Sequence, residues 1–154
     1  MIICGIDPGK TGAIARINTT NKIVTIYDMP LNTQGDFIDC KAIFSLFQGA
    51  DEIWIERVHA RRTDGRSSLA GFMTMYGGLR ATAKLSSIPT KLILPQKWKK
   101  VLGLLGTNKK ASNFLAAELY PQIAEKVKRV KDHNRAEAVL IAHYGMLYNE
   151  NLRE

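Results

Sequence analysis

The chain has no apolar run approaching the roughly 20 residues that a membrane span needs. Its first residues, MIICGID, enter a strand pattern without a charged leader, so neither a spanning helix nor a signal peptide is expected. Cysteine is scarce. Cys4 and Cys40 each sit inside an apolar pattern and read as reduced core thiols of a cytosolic protein, not as a disulfide framework. No Cys or His pair has zinc-finger spacing, and no set of Ser, Cys and His residues points to a nucleophilic triad. Internal repeats, low-complexity segments and linkers are absent from the pattern. Acid is outnumbered by base: 14 Asp and Glu against 22 Lys and Arg give a formal charge of +8. Such an excess points to an anionic partner, most simply nucleic acid. What remains is an ordinary mix, 45% hydrophobic and 23% charged over 154 residues, enough for one domain over 1–154 with its own core.

The chain opens with three strand patterns: residues 2–6, GAIARI (12–17) and KIVTIYDM (22–29), an antiparallel meander with turns at Asp7-Pro8-Gly9 and Asn21-Lys22. Asp36 is placed to cap a helix to about residue 48, with Phe37, Ile38, Cys40, Ile43, Phe44 and Phe47 on its buried side. EIWIERV (52–58) reads as a fourth strand. The loop HARRTDGRSS follows, and a long helix starts at Ser67 or Ser68 and runs to about Ser86. Its Gly77-Gly78 pair costs helix stability and so points to close packing. TKLILP (90–95) is a fifth strand. Pro95 opens a short helix with Trp98, Gly103 to Gly106 is a break, a helix spans about 108–120 up to Pro121, and a last helix covers 135–147. The order βββαβαβα with further helices is a mixed α/β arrangement: a five-stranded sheet, part meander and part parallel, flanked by helices.

Acids end two of the apolar strands and open the last helix: Asp7, Glu56, Asp132 and Glu137. GIDPGKTG is not a phosphate-binding P-loop. Only Ile6, Asp7 and Pro8 separate its first two glycines, and it leads into a strand where a P-loop must open a helix. Pro8 and Gly9 instead reverse the chain straight after Asp7 and leave its carboxylate at the sheet edge. A plain turn role for Asp7 is the bland alternative. Glu56 sits where a central strand should not carry an unpartnered acid. A metal would supply a partner, as would a salt bridge to Arg57. In DHNRAEAVLIAHYG, Asp132 is at the N-cap position, His133 and Glu137 share a helix face, and Ala136, Ala138 and Ala142 would let the helix lie close on the sheet. Arg57, Arg61, Arg62 and Arg66 crowd the loop after Glu56. Lys109, Lys110 and Lys131 belong to a second basic stretch ahead of the last helix. His59 and His143 read as structural or exposed. Phe72, Met73, Met75 and Tyr76 read as core by default, with a dimer face or an apolar wedge against unstacked bases as alternatives.

These pieces resemble the RuvC-type Holliday junction resolvases of the RNase H-like superfamily, in the short phage and organellar branch. GIDPGKTG resembles the family's first strand and acid, and IERV its central strand and Glu. SSLAGFMTMYGGLRATA resembles its dimer helix, LPQKWKKVLGLLGTNKKASNFLAAELYP its Pro, Gly and Lys pattern, and DHNRAEAVLIAHYG its closing acidic helix. Five pieces occur in order over nearly the whole chain. The resemblance assigns Asp7, Glu56 and Glu137 to the family's acids and Lys110 to a phosphate contact. It puts neutral Asn134 where the bacterial pattern has an acid, so Asp132 or His133 is left to complete the site.

The resemblance implies an RNase H-like fold and a Mg²⁺-dependent endodeoxyribonuclease, with Mn²⁺ able to substitute. It further implies a homodimer through the helix at 67–86, and paired nicks in a four-way junction that leave 5′-phosphates. Two ions about 4 Å apart would activate water and stabilise the leaving oxygen. Asp7 would bridge them, with Glu56 on one side and Glu137 with Asp132 or His133 on the other. Arg57, Arg61, Arg62, Arg66, Lys109, Lys110 and Lys131 would meet DNA phosphates. The expected setting is the cytoplasm, that of a host cell if the protein is phage-encoded. Three alternatives stay open. An actin-like sugar-kinase unit also begins with a strand and a DxG turn, but it needs a second domain around ATP. The others are a ribonuclease H acting on RNA–DNA hybrids, and a junction-binding protein that does not cut.

Overall fold

Three antiparallel strands lead the computed structural model, which describes residues 1–58 and 66–152: β1 (Ile2–Asp7), β2 (Ala13–Asn18) and β3 (Val24–Asp28). β4 (Glu52–Glu56) then pairs with β1 in parallel, and β5 (Thr90–Ile93) with β4 in parallel, giving the order β3-β2-β1-β4-β5. α1 (Cys40–Phe47) links β3 to β4, and α2 (Arg66–Leu85) makes the crossover that a parallel β4–β5 pair requires. α3 (Pro95–Val101), α4 (Lys109–Leu119), two 3₁₀ turns (Pro121–Val127 and Val130–Asp132) and α5 (His133–Asn151) complete the chain. The sheet is the expected mixed one, and helices flank both of its faces.

Strand alternation decides which face meets which helix. Cys4, Ile6, Ile53 and Ile55 turn towards α1 and α2 and pack with Ile43, Phe47, Met75, Tyr76 and Leu79. Ile3 and Trp54 turn the other way and pack with Val139, Leu140 and Ala142 of α5. Gly5 lies on that second face, and a Cβ there would fall well inside contact distance of Ala138 O and Ala142 N. The α5 backbone therefore rests directly on β1, and the small residues Ala138 and Ala142 make this approach possible. Further along, Gly145 keeps the same helix flush against the Trp54 ring of β4.

Several local expectations are corrected. Asp36 does not cap α1. Its carboxylate accepts from Asn32 Nδ2 at 2.8 Å in a turn, and Asp39 is the cap, accepting from the Ala42 N–H at 2.9 Å. Phe44 is exposed, because a helix this short buries only Ile43 and Phe47. Pro121 ends α4 but opens a 3₁₀ turn, and α5 is longer at both ends than 135–147. Gly78 is tightly packed, with a Cβ there 3.1 Å from the Phe37 ring, whereas Gly77 faces open space. Both cysteines are free thiols.

Candidate active site

Asp7 and Glu56 leave the sheet together. Ile6 stands opposite Ile55 in the parallel β1–β4 pair, so the next residue on each strand emerges at the same edge and on the same face. That face is the one α5 covers. Glu137 precedes Ala138, which rests on Gly5, so α5 brings the third carboxylate to the same edge.

The electrostatics mark the three acids as neighbours. Asp7 is 8% exposed. Burial pushes its carboxyl well above the usual carboxylate range, the charges of Glu56 and Glu137 push it further, and Lys99 and Lys109 pull it partly back. Burial also raises Glu56. The Trp98 indole, donating from Nε1 to Glu56 Oε2 at 2.8 Å, opposes this, Glu137 adds to it, and Lys99 opposes it. Glu137 Oε1 meets Lys99 Nζ at 3.0 Å, and Ser112 Oγ donates to the same oxygen at 3.5 Å.

Glu52, at the other end of the same strand, shows the contrast. Burial raises its pKa too, but hydrogen bonds from Asn149, Trp54 and Lys91 bring it below the ordinary value. Glu52 is a satisfied structural acid, whereas Asp7 and Glu56 are held in a mutually repelling group that a cation would relieve.

Asp7 and Glu56 line a cleft of about 580 Å³ together with Arg57, Ser68, Phe72 and Pro95. Asp132 lies elsewhere, in a second cleft of about 320 Å³ with Lys10, Thr11, Lys131, Asn134 and Arg135. Arg129 donates to both oxygens of Asp132, from Nε at 3.0 Å and Nη2 at 2.8 Å, and Arg135 Nη1 is 3.5 Å away. Asp132 stands at the N-cap position of α5 but does not cap that helix; its carboxylate turns back to accept from the Arg129 backbone N–H at 2.9 Å, closing a capping box on the 3₁₀ turn Val130–Asp132. His133 Nδ1 is 3.1 Å from Val130 O, and Asn134 donates to Thr11 O at 2.6 Å. The structure thus gathers Asp7, Glu56 and Glu137 and directs Asp132, His133 and Asn134 to local partners.

Of the expected DNA-contacting residues, Arg57 is exposed beside the cleft, and Lys109 is the lysine whose charge acts on Asp7. Lys110 is exposed one position on, and Lys131 sits on the second cleft. Arg61 and Arg62 lie outside the described residues, as does the side chain of Arg66. His143 is structural, within 2.7 Å of Tyr120 Oη.

Trp98, Lys99 and Ser112 were not singled out from the sequence as site residues. The available signal was Trp98 itself: a buried indole N–H needs an acceptor. Trp98→Phe removes that donor and lifts the Glu56 pKa further. The acidic limb of any activity that needs ionised Glu56 should therefore move to higher pH. A pH–rate profile in which the variant loses more at pH 6 than at pH 9 is the expected result.

Three carboxylates of like charge, Asp7 buried and Glu56 and Glu137 half-buried, make a set of hard oxygen donors that suits a small divalent cation such as Mg²⁺. Among the described residues, no group of three or more His, Cys, Asp or Glu side chains is arranged to hold an ion as it stands.

The sheet order, its mixed direction and the flanking helices define the RNase H-like fold in its RuvC form. The structure of Thermus thermophilus RuvC in complex with a Holliday junction substrate is similar to this chain with a TM-score of 0.72 at 13% identity, over 98% of this chain and 96% of that one. A second Thermus thermophilus RuvC structure matches with a TM-score of 0.65 at 14% identity, over 98% and 96% of the two chains. The yeast mitochondrial Holliday junction resolvase Ydc2 matches with a TM-score of 0.60 at 16% identity, over 98% of this chain and 80% of that one. At such identities the likeness is one of fold. No protein-family sequence profile and no curated protein sequence matches the chain.

Proposed function

We propose that this chain is a single RNase H-like nuclease domain that cuts branched DNA, four-way junctions above all, by metal-dependent paired nicking. The observation that carries the reading is the meeting of Asp7, Glu56 and Glu137 at one sheet edge of a chain with charge +8. The fold supports it, since the similar Thermus thermophilus RuvC holds a Holliday junction substrate.

Asp7, Glu56 and Glu137 would hold Mg²⁺, or Mn²⁺ in its place. When bound, the metal supplies an activated water and stabilises the leaving oxygen. With Asp132 tied to Arg129, further coordination would fall to water and phosphate oxygens. Trp98 fixes the Glu56 carboxylate by its indole hydrogen bond. Arg57 and Lys109 neutralise the DNA backbone beside the cleft, a contribution that weakens as salt rises. A homodimer through α2, where Met73 is 38% exposed, would give the enzyme the two-fold symmetry of the junction.

The test is a gel assay in Mg²⁺ with a mobile four-way junction, a Y-fork and an RNA–DNA hybrid. Paired nicks in the junction support the reading. Preferential cutting of the hybrid, or junction binding without cleavage in Mg²⁺ or Mn²⁺, overturns it.

Asp132 gives a separating prediction. Hydrogen bonds from Arg129 pull its pKa down to about 2. The folded value lies below the ordinary one near 4, so its stabilisation is present above pH ~4 and is lost as pH falls through about 2. Asp132→Asn should cost about 1 kcal/mol at pH 7, the Arg129 partner being solvent-screened. That cost should vanish at low pH, and junction cleavage should be retained. Urea melts at pH 7 and at pH 2, with the gel assay, check all three.

A further inference from the structure

Lys99 stands where a cation is wanted. Among the described residues it is the side-chain cation that acts on all three carboxylates: it is paired with Glu137 at 3.0 Å, and its charge lowers the pKa of both Asp7 and Glu56. Its side chain is 30% exposed and that of Glu137 13%, so the pair is largely shielded from water. The neighbouring residue grips the neighbouring acid: Trp98 donates to Glu56, and the Lys99 ammonium lies 5.0 Å from the Trp98 ring centroid. Two consecutive residues of α3 therefore hold two carboxylates that come from β4 and α5.

We propose that Lys99 is the internal counterion of the metal-free site, which a divalent metal must displace from Glu137 in order to bind. This rests on the metal-binding reading above. The physical basis is that carboxylates which repel one another in a half-buried setting need a positive charge in every state of the protein. Lys suits the part. Its ammonium is a compact point charge on a flexible stem, able to swing aside in a way a forked, bidentate guanidinium is not. Lys99 would then set metal affinity as a competitor, and its removal should tighten metal binding, the reverse of what loss of a ligand does.

The experiment titrates Mn²⁺ alone into the full chain, with free Mn²⁺ counted by electron paramagnetic resonance. The proteins are wild type, Lys99→Met, Lys99→Gln and Lys99→Arg, with their folding followed by circular dichroism. Lys99→Met and Lys99→Gln are expected to bind about tenfold more tightly, the scale of one close charge pair, and Lys99→Arg to stay at or below the wild-type affinity. Unchanged or weaker binding in both neutral variants, with wild type binding normally, overturns the counterion role and leaves the metal reading standing. Failure of wild type and variants alike to bind Mn²⁺ overturns both. Lys99 is partly exposed, so two different uncharged side chains guard against one that merely disturbs packing. A purely structural Lys99 would lower the melting temperature in both without tightening Mn²⁺ binding.

Discussion

Asp7→Asn should stop junction cleavage and stabilise the metal-free protein at the same time. Loss of one carboxylate ligand removes several kcal/mol of transition-state stabilisation, a rate loss of about 10³-fold or more. Asparagine keeps the shape of the side chain and removes one negative charge from the cleft, so junction binding should persist or strengthen. The stability gain follows from the sign of the shift. Burial, Glu56 and Glu137 raise the Asp7 pKa in the folded state. An acid whose folded pKa lies above its unfolded value contributes most below the unfolded pKa, and stability falls as pH rises from there towards the folded value. At neutral pH the unfolded chain ionises Asp7 freely while the folded site disfavours that ionisation, and asparagine has no such charge to disfavour. Thermal melts in chelator at pH 7 should show the variant above wild type, and added Mg²⁺ should narrow the gap by stabilising wild type alone. A variant that cuts at the wild-type rate would refute the proposed chemistry.

Gly5→Ala should unfold or severely weaken the protein. The new methyl group would run into Ala138 O and Ala142 N, main-chain atoms of α5 that cannot rotate away. Overpacking of this kind costs on the order of 3 kcal/mol, or roughly 10 °C in melting temperature for a chain of this size. Protein that still folds would do so by lifting α5 from β1. That would separate Glu137 from Asp7, so cleavage should fall further than the melting point alone accounts for. Thermal denaturation together with the junction assay measures both, and a variant within a degree or two of wild type would refute the packing argument.

Much of this site was readable before the structure, for physical reasons. IICGID and EIWIE are apolar strands that end in acids, a pattern a core does not tolerate, and the two acids do emerge side by side. Small residues in α5 announced a close approach to the sheet, which Gly5 confirms from the other side. Asp132 shows where the sequence falls short. Its charge and its nearness to Glu137 along the chain look the same for a metal ligand and for a salt-bridge partner, and only the fold reveals Arg129 curling back onto it. Asp36 was the expected cap of α1, but the turn at Asn32–Phe37 engages its carboxylate, and Asp39 caps the helix instead. Trp98 and Lys99 are far from all three acids along the chain. Their role depends on where α3 is set down after β5, which no local pattern encodes.

The direct seating of α5 on β1 also bears on synthesis at the ribosome. Asp7 belongs to the first strand and Glu137 to the last helix described, and it is the α5 backbone that rests on the Gly5 side of β1. A nascent chain that has finished the sheet but not α5 holds Asp7 and Glu56 without their third carboxylate, over an uncovered apolar face. Completing that one helix closes the core and assembles the acidic set in the same event, so under the proposed function a half-made chain would lack the means to cut nucleic acid.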